Sequence, residues 1–178
     1  MLLGENIALG AILPTDLPLL YKWCDDAETA RFNEPYIPKD WNEQVQFWTN
    51  AAREASRLFL AVRKRADNAL IGFIQIIAIE PIHRSAAIGI RIGEKAERNH
   101  GFGCGALALA LDYCWKQLNL TRITLRVFAE NAAAIRLYAS LGFVCEGMQT
   151  KALFIDGGWV DLQLMARLHP SRWQPMLG

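Results

Sequence analysis

Apolar positions change period several times along the chain, and each change marks an element. Ile7, Leu9, Ala11 and Leu13 recur at period two and predict a first strand, after which Pro14-Thr15 predicts a turn with Thr15 capping a helix over 16–23. Residues 25–32 predict a second short helix. The run Asn33-Glu34-Pro35-Tyr36-Ile37-Pro38 then reads as a loop, because each proline fixes its own φ and restricts its predecessor. Asp40 and Glu43 have capping-box spacing, and Trp41, Val45, Trp48 and Ala52 share one face of the helix they open, which ends near Ala55.

From Leu58 the period returns to two. Leu58, Leu60 and Val62 alternate, 66–68 supplies a turn, and the β-branched run 70–79 completes an antiparallel hairpin, followed by a strand over 85–92. Helical spacing reappears over 101–118, at Leu107, Leu111, Cys114 and Leu118, with Asn119 as a left-handed cap. A strand over 121–128 follows, then a helix over 131–141 stopped by Gly142, and two strands, 143–150 and 159–168, that turn at Asp156-Gly157-Gly158. The expected architecture is mixed α/β (α+β), with a mostly antiparallel sheet of about seven strands flanked by helices. The chain reads as one domain over 1–178, without repeats or low-complexity linkers.

Composition narrows the function classes. At 178 residues, 52% hydrophobic and 21% charged, the chain can bury a core and is not a disordered or disulfide-scaffold sequence. Nineteen basic against eighteen acidic side chains leave +1, which excludes nucleic acid as the main partner, since phosphate-backbone binders need a large basic excess. Cys24, Cys104, Cys114 and Cys145, and His83, His100 and His169, are scattered without metal-ligand or disulfide spacing, so no metal is expected. The amino terminus has no basic run before its apolar stretch, and no segment approaches membrane-spanning length. A reducing cytoplasm is the expected compartment.

The densest chemistry lies in Arg98-Asn99-His100-Gly101-Phe102-Gly103-Cys104-Gly105-Ala106, between a strand and the longest helix. Glycines there admit close backbone approach, and the unpaired amides of a first helical turn attract an anion such as a pyrophosphate. Gly101, Gly103 and Ala106 also fit the G-x-G-x-x-A spacing of a dinucleotide fold. The intervening residues 93–100 and the closing pair of strands argue against that fold. Cys104 at the helix start raises a nucleophilic reading, but no histidine partner is evident and a small residue within the turn is a sufficient role.

These residues resemble the GCN5-related N-acetyltransferase family, and within it the ribosomal-protein and polyamine acetyltransferases. Its R/Q-x-x-G-x-G/A signature is met by Arg98, Gly101 and Gly103, with Ile90-Arg91-Ile92 as the strand leading in. Its N-x-x-A-I-x-L-Y-x-x-x-G-F motif is similar to the stretch from Asn131 to Phe143. The resemblance implies acetyl-CoA as cosubstrate and direct attack by an amine in a ternary complex. It places cofactor contacts at Ile90, Arg91, Ile92, Arg98, Asn99, Gly101, Phe102, Gly103, Cys104, Gly105, Asn131 and Tyr138. It also implies that the strand ending at Ile92 splays from its neighbour after Thr121, exposing backbone for the pantetheine arm and the thioester oxygen.

Tyr138 is the implied general acid toward the leaving sulfur, a phenol staying protonated at neutral pH. Asn131 would bond the cofactor and also has the chemistry of a helix N-cap. Where many relatives carry Glu this chain has Ala87, so the base candidates are Glu80, His83 and Glu34, or ordered water. The helices within 14–55 are where the family recognises its acceptor. There Trp23, Trp41, Phe47 and Trp48 are candidates for either pocket or core, and Asp25, Asp26, Glu28 and Glu34 could serve a cationic acceptor or simple helix starts. The acceptor is expected to be a small-molecule or peptide amine, including polyamines, amino sugars and amino termini. The alternative is a catalytically silent acyl-CoA-binding module that has lost its base. The resemblance also makes a homodimer plausible, through the final strands and the tail 169–178.

Overall fold

The computed structural model describes residues 1–30, 32, 35–51 and 54–170. In chain order it contains β1 (Leu2–Leu3), β2 (Ile7–Gly10), α1 (Leu17–Cys24), α2 (Ala27–Ala30), α3 (Trp41–Ala51), β3 (Leu58–Lys64), β4 (Leu70–Glu80) and β5 (Ser85–Ile92). Then come α4 (Phe102–Lys116), β6 (Arg122–Phe128), α5 (Ala132–Ser140), β7 (Val144–Ile155) and β8 (Gly158–Leu168). The eight strands form one sheet in the order β1-β2-β3-β4-β5-β6-β8-β7. Every neighbouring pair is antiparallel except β5 and β6. The expected mixed layout is therefore present, with one strand more than the pattern showed, since a two-residue strand is too short to display a period.

Two local expectations are corrected. Thr15 does not cap α1: a 3-10 turn at Pro14–Asp16 precedes it, and the Asp16 carboxylate accepts the Leu13 amide at 2.7 Å and Arg63 Nη2 at 2.5 Å. That buried ion pair ties the entry of α1 to β3. β7 runs on to Ile155 because register shifts at Cys145/Gly147 and Gln149/Leu153 break its alternation without breaking the pairing to β8. Asp40 behaves as read, its carboxylate accepting the Glu43 amide at 3.0 Å.

The sheet buries both faces. On one, α4 and α5 cover a core that includes Ile7, Ile74, Ile76, Leu107, Leu111 and Ile123. On the other, α1 and α3 cover Ala61, Leu70 and Phe73 with Leu20, Trp23 and Trp48. Each such large apolar side chain contributes roughly 1.5–3 kcal/mol on burial. Trp23 and Trp48 are thus core residues, while Trp41 and Phe47 are each 40% exposed. Gly93 makes the second face possible, because a Cβ there would lie 2.0 Å from the Trp23 ring. Trp23 Nε1 in turn donates to Glu94 at 3.0 Å, locking α1 over the end of β5.

One irregularity positions everything that follows. β5 pairs with β6 only at Ser85–Arg122, Ala86–Ile123 and Ala87–Thr124. Pairing of β5 with β4 continues to Ile92, and that of β6 with β8 to Phe128. The two parallel strands therefore diverge into a V, leaving the β6-facing backbone edge of β5 without a strand partner beyond Ala87.

Candidate functional site

Two clefts meet at the V. The first, about 550 Å³, is lined by Ile90, Arg91, Ile92, Arg98, Asn99, Gly101, Gly103 and Cys104, with Asn131 and Leu137 of α5 and Glu28 and Thr29 of α2. The second, about 750 Å³, is floored by Gln75, Ala87, Gly89 and Thr124 and walled by Phe128, Leu153 and Tyr138. Phe32, Ile90, Asn131, Ala134 and Leu137 line both, so the clefts share a wall and run together through the opening between β5 and β6.

The first cleft is built largely from backbone. Gly101 caps α4 at φ 82, a left-handed conformation that a side chain would strain although it would meet nothing within 4 Å. The first intrahelical bond of α4 is Gly105 N–H to the Gly101 carbonyl at 3.1 Å, so the amides of Phe102, Gly103 and Cys104 have no intrahelical acceptor. They form an anion-attracting helix start at the mouth of the cleft. Arg98 is fixed beside it, Nε donating to the Ile92 carbonyl at 3.0 Å and Nη2 to Gly93 O and Thr29 Oγ1, each at 3.4 Å.

Arg91 turns its side chain the other way, with Nη1 3.6 Å from Cys24 Sγ and Cζ 5.6 Å from the Phe73 ring centroid, on the α1 face. Phe102 packs on the core beside the His100 ring, and Gly105 faces Ile7; neither lines the cleft. Cys104 does line it.

Asn131 is the N-cap of α5: its Oδ1 accepts the Ala134 amide at 3.1 Å, leaving Nδ2 at the wall shared by both clefts. Tyr138, on the same helix, is buried, stands edge-on to Phe143 at 5.7 Å, and makes no hydrogen bond through its hydroxyl to any described residue. Burial pushes its phenol up to about 12, so the hydroxyl is a permanent donor across the physiological range.

The base candidates fare differently. Glu80 and His83 are exposed, and both lie before Ser85, where β5 is still paired with β6; neither lines the second cleft. The turn that carries His83 is docked instead on the connection between α4 and β6, through Arg84 to Asn119 at 2.8 Å. Glu34 lies outside the described residues.

The acidic stretch is engaged in local pairs. Asp26 accepts Thr29 Oγ1 at 2.5 Å, which holds its carboxyl below the ordinary range; Glu28 meets Lys95 at 2.5 Å and Asp25 meets Tyr36 at 3.1 Å.

Several lining residues had no motif to announce them. Gln75 lies across Gly89, where a Cβ would sit 2.8 Å from its Nε2. Arg122, Thr124 and Arg126 share one face of β6 opposite Ile123, Leu125 and Val127, and Glu146 reaches Arg122 from β7. The polar alternation of β6 was the available signal for a strand face that looks into a cleft.

Among the described residues no helix is long and apolar enough to cross a membrane, and no cluster of His, Cys, Asp and Glu could hold a metal ion. Residues 6–144 match the family described as acetyltransferase (GNAT) domain. The spermidine N(1)-acetyltransferase of Vibrio cholerae is 37% identical over 134 residues, 75% of this chain and 75% of that one. The L-amino acid N-acetyltransferase of Escherichia coli is 32% identical over 104 residues, 57% of this chain and 64% of that one. The crystal structure of spermidine N-acetyltransferase from Vibrio cholerae in complex with CoA and spermine has a TM-score of 0.85 and 30% identity, covering 92% of this chain and 95% of that one.

Proposed function

The chain belongs to the GNAT acetyltransferase family and is an acetyl-CoA-dependent N-acetyltransferase, and from that premise we propose how its residues divide the reaction. The α4 helix start, with the amides of Phe102, Gly103 and Cys104 and Arg98 beside them, takes the pyrophosphate of acetyl-CoA. The open edge of β5 from Ile88 to Ile92 takes the pantetheine arm and supplies a backbone donor to the thioester oxygen. Asn131 contributes its side-chain amide at the shared wall. Arg91 contributes through its backbone, its side chain being turned toward α1.

The amine enters from the opposite cleft. Its nitrogen attacks the thioester carbon, the carbon–sulfur bond breaks, Tyr138 gives its proton to the departing sulfur, and the proton lost by the amine passes to water at the cleft. With Ala87 beside the V and Glu80 and His83 outside it, solvent is the acceptor that the geometry favours over either side chain.

The observation that carries this reading is the V itself, which sets an anion-attracting helix start on one side of a shared wall and, on the other, a buried phenol without a hydrogen-bond partner among the described residues. Calorimetry with acetyl-CoA, followed by free-thiol release over an amine panel, tests it; no binding at millimolar cofactor sinks it. A second reading, the silent acyl-CoA-binding module, is favoured by Ala87 alone and predicts binding without turnover on any amine.

The named acceptors of the relatives, spermidine and L-amino acids, support a small-molecule amine over a peptide. We further place the activity in the cytoplasm, in keeping with four cysteines that form no disulfide, and treat the chain as one domain. Of the acceptor-recognition stretch 14–55, Phe32 is the described residue that reaches the acceptor-side cleft. Self-association through the last hairpin is supported by exposed Val144, Met148, Phe154 and Trp159, and light scattering tests it; of the tail, only 169 and 170 are described.

A further inference from the structure

Among the described residues the lining of the acceptor-side cleft is not acidic, and from this we infer that the amine acetylated here also carries an oxyanion, a carboxylate or a phosphate, received by Arg126. This rests on the transfer reaction proposed above and names its substrate class. Among the described residues lining that cleft, the groups charged at neutral pH are Arg122, Arg126 and Glu146. Glu146 is engaged: both carboxylate oxygens accept Arg122 N–H groups, one at 2.8 Å and the other closer, and this pairing holds its carboxyl below the ordinary range. Arg126 is exposed to the cleft and makes no hydrogen bond or ion pair with any described residue. The described lining therefore carries one uncompensated positive charge.

A polyamine, with ammonium groups along its length, meets repulsion there and no unengaged carboxylate among the described lining residues. Asp25, Asp26 and Glu28, the natural receptors for such a chain, do not line this cleft and are already paired with Tyr36, Thr29 and Lys95. A planar carboxylate or a phosphate instead finds the fork of donors that a guanidinium presents.

Position supports the assignment. Thr124 faces Ala87 at the last β5–β6 pair, and Arg126 lies two residues further along the same face of β6, about 7 Å toward the open end. Phe128 follows, its ring 5.8 Å from Phe32 at the mouth. Arg126 thus stands between the point where the strands part and the aromatic wall, and an amine aimed through the opening at Tyr138 can leave its oxyanion on Arg126.

The test measures kcat/KM for glutamate, O-phosphoethanolamine and spermidine with the native chain, Arg126→Gln and Arg126→Glu, each checked by thermal melting. Calorimetry of the N-acetylated form of each amine against the CoA-loaded protein runs in parallel. An anionic amine is expected to exceed spermidine by about tenfold or more, Arg126→Gln to erase most of that margin and Arg126→Glu to reverse it, with acetyl-CoA affinity unchanged. The better of the two anionic amines identifies carboxylate or phosphate. Turnover that favours spermidine, or a preference indifferent to Arg126, overturns the inference while the transfer reaction stands. If nothing is turned over, the transfer reading fails, and the acetylated ligands decide: anion binding lost in Arg126→Glu upholds the site, and binding indifferent to Arg126 or favouring acetylspermidine overturns it.

Discussion

The two clefts that meet where β5 and β6 part are built in opposite ways. On the proposed cofactor side most of the working groups are peptide amides at the start of α4 and along the edge of β5, fixed by helix geometry and by one left-handed glycine, with Arg98 and Asn131 added. On the acceptor side they are side chains, Gln75, Thr124, Arg126 and Glu146, carried by three different strands. Backbone groups cannot be substituted one at a time, whereas side chains can. The first cleft is therefore suited to a constant ligand and the second to an acceptor that changes with a few replacements.

The contrast is broken most sharply at the residue that closes the second cleft against the shared wall. Tyr138→Phe removes the one buried donor proposed for the sulfur and is expected to lower kcat by a factor of roughly 10² to 10⁴ in stopped-flow thiol detection, with acetyl-CoA affinity unchanged. Retained activity would reassign the acid. Next comes Gly101→Val, which forces a β-branched residue to φ 82 and is expected to weaken acetyl-CoA binding by about tenfold or more in calorimetry, backbone strain of this kind costing on the order of 1–3 kcal/mol. An unchanged affinity would mean that the helix start does not hold the cofactor.

The pH profile sharpens the comparison further. Because burial raises the Tyr138 phenol to about 12, the protonated and therefore competent form persists at every lower pH. The rate should climb as the acceptor ammonium loses its proton and show no falling limb before about pH 11; an alkaline limb near 9 that vanishes in Tyr138→Phe would contradict this. The smallest effect is expected of Glu80→Gln and His83→Gln, each within about twofold of the native kcat/KM, since both side chains lie outside the cleft.

Legibility in the sequence followed the same division. Helix starts, caps and turns are local, so the caps and turns at Asp40, Gly101, Asn131 and Gly142 could be read from neighbours alone. Strand order is not local: β8 lies between β6 and β7, and only that arrangement brings Glu146 across to Arg122. Thr15 has the residue type of a cap, but its neighbour Asp16 has a buried partner forty-seven positions away in Arg63, which no local rule registers. Glu80 and His83 stand near Ala87 along the chain, yet both precede Ser85, at the end where β5 is paired with β6.

The wall common to both clefts, from Phe32 across Ile90 to Leu137, gives the molecule a passage with two separate doors. In the proposed reaction each reactant has its own, so neither blocks the other's way in or out. Initial-rate lines should intersect, free coenzyme should compete with its acetylated form and not with the amine, and an acetylated amine should depart while the spent carrier is still seated.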